Sequence, residues 1–328
     1  MPAIKVENLT KKFNGFTAVN SISFDIKEGE VFGLLGPNGA GKTTTISMLS
    51  TTLKPTSGKA TVNNFDILTE EDNVRKSIGV VFQDQSLDDE LTAFENMDFH
   101  GMLYRVPKII RHEKIEKLLK LVELDSRKNE LVKKFSGGMK RRLEIARGLL
   151  HEPKILFLDE PTLGLDPQTR NHLWSYINKL NKEKGITIII TTHYMDEADN
   201  LCDRIAIIDQ GKIITLDTPQ KLKEELGGDI ITIKSPQAGK IYSKLNASWV
   251  KRIEKYDGFV TINLKDAEKH IAKIVNLLNK NKIKIESISV NKPTLEDVFL
   301  YFTGKKIREQ EADSKDHMRA RMQMRRGR

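Results

Sequence analysis

The sequence predicts a doubly wound α/β domain followed by a small α+β domain, and three observations carry that prediction. Val31 to Leu35 is a continuous apolar run that passes into a glycine-rich turn and a helix beginning near Gly41. Ile155-Leu156-Phe157-Leu158 is apolar on both faces, as a buried parallel strand is, and delivers Asp159 and Glu160 at its carboxyl end. Beyond Gly227-Gly228 the order becomes strand, helix, strand, strand, helix, strand.

The elements follow in turn. Ile4-Lys5-Val6 and Ile22 to Ile26 read as β-runs around a polar turn at Asn14-Gly15. Val80-Val81-Phe82 is a further short strand. Residues 92–131 are charged, with Ile115, Leu118, Leu119 and Val122 at helical spacing, which predicts an inserted helical region. Strands and helices then alternate through 155–158, 168–184, 186–192 and 204–208. After the glycine pair, strands are expected at 230–234, 250–256, 259–264 and 283–290, with helices at 237–246 and 266–280, a ferredoxin-like order. Asp266 is placed to cap the second of these helices, whose face carries Ile271, Ile274, Val275 and Leu278. Thr294-Leu295-Glu296-Asp297 opens a last helix with a capping-box pattern and a stripe of Leu295, Val298, Phe299 and Phe302.

Composition narrows the class. A chain of 328 residues holds one large and one smaller domain. The single cysteine, Cys202, excludes an intramolecular disulfide and fits a reducing compartment. The start, MPAIKVENLTKKF, has no apolar signal-peptide core. The longest apolar runs, such as Ile186 to Ile190, are strand-length, so the expectation is a soluble chain. Net charge is +9, yet residues 315–328 alone carry +5, leaving +4 for the other 314. The basic balance therefore belongs mostly to a tail that lacks apolar periodicity and is expected to be disordered, and it argues little for nucleic acid.

Two stretches carry phosphate chemistry. Gly36-Pro37-Asn38-Gly39-Ala40-Gly41-Lys42-Thr43-Thr44 fits Gly-x4-Gly-Lys-Thr between a predicted strand and a predicted helix. Its glycines let backbone N–H groups turn toward β- and γ-phosphates, Lys42 adds a point charge, and the Thr43 hydroxyl can ligate Mg²⁺. A chance match in a chain this long is on the order of one in a hundred at ordinary glycine content. Residues 135–161, FSGGMKRRLEIARGLLHEPKILFLDEP, join a second glycine-rich helix start to the strand ending in Asp159-Glu160.

Together these motifs resemble the ATP-binding cassette (ABC) family over roughly residues 3–220. The resemblance implies a P-loop NTPase fold: an ATPase domain over 1–226 with a mixed sheet and a helical subdomain at about 88–150. A C-terminal accessory α+β domain would cover 229–303 and a basic tail 305–328. It also implies roles. Phe13 would stack on adenine, and Gly36, Asn38, Gly39, Ala40, Gly41, Lys42, Thr43 and Thr44 would hold ATP. Gln83 matches the Q-loop glutamine, which reaches Mg²⁺ and relays motion to a transporter partner. Asp159 would hold Mg²⁺ with Thr43, Glu160 would be the general base, and His193, after Thr191-Thr192, would contact the γ-phosphate. Ser136, Gly137 and Gly138 would serve the ATP of a second cassette, and Asp166, in Leu163-Gly164-Leu165-Asp166, would sit at the dimer contact.

One position departs from the family. Its signature usually ends in Gln, where this chain has Met139, so side-chain hydrogen bonding from that position is lost. FSGGMKRR with DEPTLGLDP, and the ending NKPTLEDVFLYFTGK, resemble exporters of the daunorubicin-resistance type. The expected partners are an integral-membrane permease and a second ATPase subunit, with no nucleic acid, at the cytoplasmic face of the cell membrane. A soluble cassette acting on ribosomes or nucleic acid is the alternative, with the basic tail as its contact.

Overall fold

The computed structural model describes residues 2–245 and 247–304; the basic tail lies outside the described residues. The chain divides into two compact units at the Thr218–Pro219 junction.

The first unit opens on a long hairpin, β1 (Pro2–Phe13) and β2 (Phe16–Lys27). The two runs expected there are twelve-residue strands, because register shifts between Pro2 and Lys12 absorb the interrupted alternation. Asn14 and Gly15 both have positive φ, 35° and 83°, as a two-residue hairpin turn requires. Next come β3 (Val31–Leu35), α1 (Lys42–Leu49), β4 (Ser57–Val62), β5 (Phe65–Asp66), α2 (Glu71–Ser77) and β6 (Ile78–Val81). Three helices follow: α3 (Ala93–Leu103), α4 (Lys108–Leu121) and α5 (Gly137–Gly148). The unit ends with β7 (Ile155–Asp159), α6 (Pro167–Lys184), β8 (Thr187–Thr192), α7 (Met195–Leu201), β9 (Arg204–Asp209) and β10 (Lys212–Asp217).

Its strands form two sheets. One is four-stranded, β2-β1-β4-β5, and antiparallel throughout. The other is six-stranded, β10-β9-β3-β8-β7-β6, and parallel except at the β10–β9 edge. Every residue of β3, β7 and β8 is buried, which explains their unbroken apolar runs. Between the sheets lies a core that includes Ile4, Leu9, Phe24, Phe32, Phe157 and Ile189.

The second unit begins with α8 (Pro219–Glu225), eight residues ahead of the Gly227-Gly228 pair at which the sequence places the boundary. The fully buried Leu222 of α8 accounts for the difference: α8 packs on α11 (Leu295–Thr303), a contact distant in sequence. Between them run β11 (Asp229–Lys234), α9 (Ala238–Lys244), β12 (Val250–Tyr256), β13 (Phe259–Leu264), α10 (Ala267–Lys280) and β14 (Ser287–Asn291). The sheet order is β12-β13-β11-β14, all antiparallel. Ile231, Ile233, Val260 and Ile262 pack with Ile241, Ile274 and Leu278 in the core of this unit.

Three local expectations change here. Asp266 has φ +53° and makes no capping bond; Asp229 Oδ2 instead accepts the Ala267 N–H at 2.9 Å. The strand expected at 283–290 pairs only over Ser287–Asn291, Ile283 being turned into the core. At α11 the capping box forms as read, Thr294 accepting from Asp297 N and Asp297 Oδ2 from Thr294 N at 2.9 Å. There Leu300 is buried, whereas Phe302 is half-exposed.

Candidate active site

Strand register assembles the site. Leu35 pairs with Thr192, and Asp159 pairs with Thr191, so the carboxyl ends of β3, β8 and β7 lie level. That is the edge of a parallel sheet where loops diverge and ligands bind. The Gly36 N–H donates to Thr192 O at 3.2 Å, and the Gly211 N–H to Ala40 O at 3.0 Å, which pins the loop over the strand ends. At the turn into α1, Gly41 takes φ +106°. A side chain on Gly36 would meet Ile208 O at 2.1 Å, and one on Gly41 would meet Ala18 O at 2.6 Å. Both glycines are dictated by close backbone approach.

The charged residues converge over this loop. Lys42 Nζ donates to Gly36 O at 2.8 Å and Pro37 O at 3.1 Å, and lies 3.2 Å from Glu160 Oε1. Glu160 Oε2 is 3.3 Å from His193 Nδ1. Burial raises the Glu160 carboxyl, but His193 and then Lys42 outweigh it and hold it below the ordinary glutamate value. Asp159 moves the other way, since its burial is only partly offset by hydrogen bonds from Thr191 and Thr43. Two adjacent carboxylates are thus driven apart: Glu160 favours the charge that a proton acceptor needs. Thr191 also fixes the backbone, its hydroxyl and carbonyl oxygens accepting the Glu160 N–H at 3.0 and 3.1 Å.

A cavity of about 550 Å³ opens here and is lined by Phe13, Asn38, Gly39, Gly41, Lys42, Thr43, Thr44, Gln83 and Glu160. Phe13 is 43% exposed at its mouth, with Lys11 Nζ 5.0 Å above the ring. Phe16 lines the same cavity and is missed by sequence reading, although its place across the hairpin turn from Phe13 was the available signal. Ser136, Gly137, Gly138 and Asp166 do not line it. Ser136 caps α5, accepting the Met139 N–H at 3.3 Å, and the exposed Asp166 caps α6, accepting the Thr169 N–H at 3.0 Å.

The residues present suit Mg²⁺. Asp159 Oδ2 is buried without a hydrogen-bond partner, while Oδ1 accepts the Thr43 hydroxyl at 3.2 Å. A hydroxyl, one carboxylate and the nearby Gln83 amide form a sparse oxygen donor set, as this ion uses when phosphates complete its shell.

Comparison with known proteins gives matches in both parts of the chain. Residues 19–163 match the ABC transporter family, and residues 218–303 match the C-terminal domain of DrrA1-3-like ATP-binding proteins. The linearmycin resistance ATP-binding protein LnrL of Bacillus subtilis is 39% identical over 311 residues, covering 93% of this chain and 100% of that protein. The chain belongs to the ABC transporter family of ATP-binding proteins. The daunorubicin resistance ATP-binding protein DrrA3 of Streptomyces coeruleorubidus is 36% identical, covering 94% of this cassette chain and 98% of its own. Among solved structures, cbiO1 of Clostridium perfringens, part of the ABC transporter complex cbiONQ, superposes with TM-score 0.64 at 33% identity. That match covers 69% of this chain and 93% of cbiO1. A dimeric cassette in a post-hydrolysis state bound to ADP and Pi gives TM-score 0.60 at 31% identity, over 66% of this chain and 98% of its own. The cassette is thus an ATPase, the nucleotide-binding subunit of a transporter. The DrrA-like match starting at residue 218 accords with a second unit that begins at Pro219.

Proposed function

We propose that two copies of this cassette close head to tail on two ATP molecules and thereby drive a separate membrane permease that exports a drug, lipid or cell-surface compound. The observation that carries the reading is a division of labour. Lys42, Thr43, Asp159, Glu160 and His193 converge at one sheet edge, whereas Ser136 to Gly138 stand apart from that cavity. A complete site on this reading joins one chain's phosphate loop to the helix N-terminus of another.

In the reaction, Glu160 accepts a proton from the attacking water as its oxygen bonds to the γ-phosphorus. The bond to the β-phosphate bridging oxygen breaks, and ADP and phosphate leave. Lys42 and His193 face the γ-phosphate, and Phe13 stacks on the base. Mg²⁺, held by Thr43, Asp159 and Gln83, would neutralise charge on the phosphate oxygens.

Support for a permease comes from the helical region. Phe99, Met102, Leu103, Ile109 and Ile110 of α3 and α4 are exposed, an apolar patch suited to a protein partner. Among the described residues, no helix is long and apolar enough to cross a membrane, so on this reading another polypeptide does. Export is supported by relatives named for linearmycin and daunorubicin resistance and for Nod factor export, which do not favour the ribosomal alternative. The cassette would then work at the cytoplasmic face of the membrane. The test is co-purification with any integral-membrane protein found encoded beside it, followed by ATP-dependent transport in proteoliposomes. A stable complex whose transport stops with Glu160→Gln is the expected result. Failure to bind that protein, with ATPase activity intact, would overturn the permease assignment.

A further inference from the structure

Lys140-Arg141-Arg142 is a run of three basic residues near the start of α5, yet Arg141 is only 6% exposed. Its guanidinium is spent on three backbone carbonyls and one carboxylate. Nη2 donates to Asp159 O at 2.7 Å, Nε to Pro161 O at 3.0 Å, and Nη1 to Phe82 O at 2.6 Å. Nη1 also lies 3.0 Å from Glu144 Oε2, and Glu144 Oε1 accepts the Ser86 N–H at 2.8 Å.

The two carbonyls of Asp159 and Pro161 flank Glu160. That residue sits at φ +46°, a left-handed conformation that a side-chain-bearing residue holds only when its surroundings dictate it. On one side its N–H is fixed by Thr191; on the other, a single planar fork grips the carbonyls before and after it. The same fork, with Glu144, ties down both ends of the Phe82–Ser86 segment that carries Gln83.

We infer that Arg141 is a positioning residue for hydrolysis: it holds the Glu160 turn in its left-handed conformation and locks that turn to the Gln83 loop and to helix α5. This rests on the reading of Glu160 as the proton acceptor. Motion of α5 would then be transmitted to the carboxylate through one side chain, without any contact between Arg141 and ATP.

The test uses the full-length chain with Mg-ATP. Arg141→Lys keeps a cation opposite Glu144 but offers one ammonium where a fork spanned three carbonyls. It is expected to lower kcat about 10- to 100-fold, the penalty of a catalytic group displaced by about an ångström. Affinity for a fluorescent ATP analogue, measured directly, should stay within about two-fold. Added to Glu160→Gln, the same change should lower the residual rate no further, because nothing remains to be positioned. Should Arg141→Lys lower the melting temperature, the pair Arg141→Gln with Glu144→Gln, which removes both buried charges together, is put through the same measurements. A kcat within about two-fold of wild type in the folded variant would overturn the inference, as would equal fold-losses with and without Glu160→Gln. Undiminished hydrolysis by Glu160→Gln alone would bring down the parent reading and this inference with it, so the two failures are distinguishable.

Discussion

Lys42 Nζ lies 3.2 Å from Glu160 Oε1, with the two side chains 5% and 6% exposed. The cation of the phosphate loop and the carboxylate of the strand end are therefore one buried charge pair, and removing Lys42 takes a counter-charge from the buried Glu160. Lys42→Ala should weaken ATP affinity at least about tenfold and also cost about 1–3 kcal/mol of stability, because Glu160 keeps its charge with less compensation. Lys42→Ala combined with Glu160→Gln should recover the melting temperature without recovering affinity. Thermal unfolding and nucleotide titration on the three variants check this. Equal melting temperatures for Lys42→Ala and the double variant would sink the charge-pair account.

Glu160→Gln alone keeps the side chain's size and removes only its basicity. The expected result is near-normal ATP binding, a loss of at least about 100-fold in kcat, and a long-lived ATP-bound dimer. Light scattering with and without ATP reads the dimer; steady-state hydrolysis reads the rate. Retained turnover would exclude Glu160 as the proton acceptor.

Much of this site is legible in sequence because its signals are local. A glycine loop between strand and helix, and an apolar strand ending in two carboxylates, each fix their own conformation, and parallel pairing then sets Asp159 level with Thr191. Arg141 is not legible, since its partners Phe82 and Asp159 lie 59 and 18 residues away and a basic helix run looks the same whether solvated or buried. The unit junction lies away from the glycine pair for a related reason. Gly227-Gly228 is the strongest local break, but α8 is assigned by packing with α11. At Asp266 the local pattern predicts a cap, but an aspartate distant in sequence, Asp229, supplies the acceptor.

His100 supplies a pH signature. Burial, then the charges of Arg147 and His151, push its ring down to about 4 from an ordinary 6.5. In the folded chain the ring is neutral between those values, while the unfolded chain takes up a proton, so acid favours unfolding across that window. The stabilising neutral state is fully present above pH 6.5 and is lost as pH falls toward about 4. His100→Phe keeps an aromatic ring beside Tyr104, whose ring centroid lies 5.0 Å away, and removes the titration. Urea unfolding at pH 7 and pH 5 should show wild type losing more stability than the variant on acidification. Identical losses would mean that His100 titrates normally.

The phosphate loop contains two glycines that should respond differently to alanine. A Cβ on Gly36 would meet the Ile208 carbonyl oxygen at 2.1 Å, and the backbone on each side is held, at Ile208 by strand pairing and at Gly36 by its bond to Thr192. Nothing there can yield without moving the loop off the sheet edge. A Cβ on Gly39 would meet nothing within 4 Å, so its cost is only that of φ +82°, about 1–2 kcal/mol for an alanine. Gly36→Ala should therefore lower ATP affinity and melting temperature more than Gly39→Ala. Nucleotide titration and thermal unfolding of the two variants side by side decide it. A Gly36→Ala chain that binds ATP as tightly as wild type would mean that the loop does not need its close approach to β9.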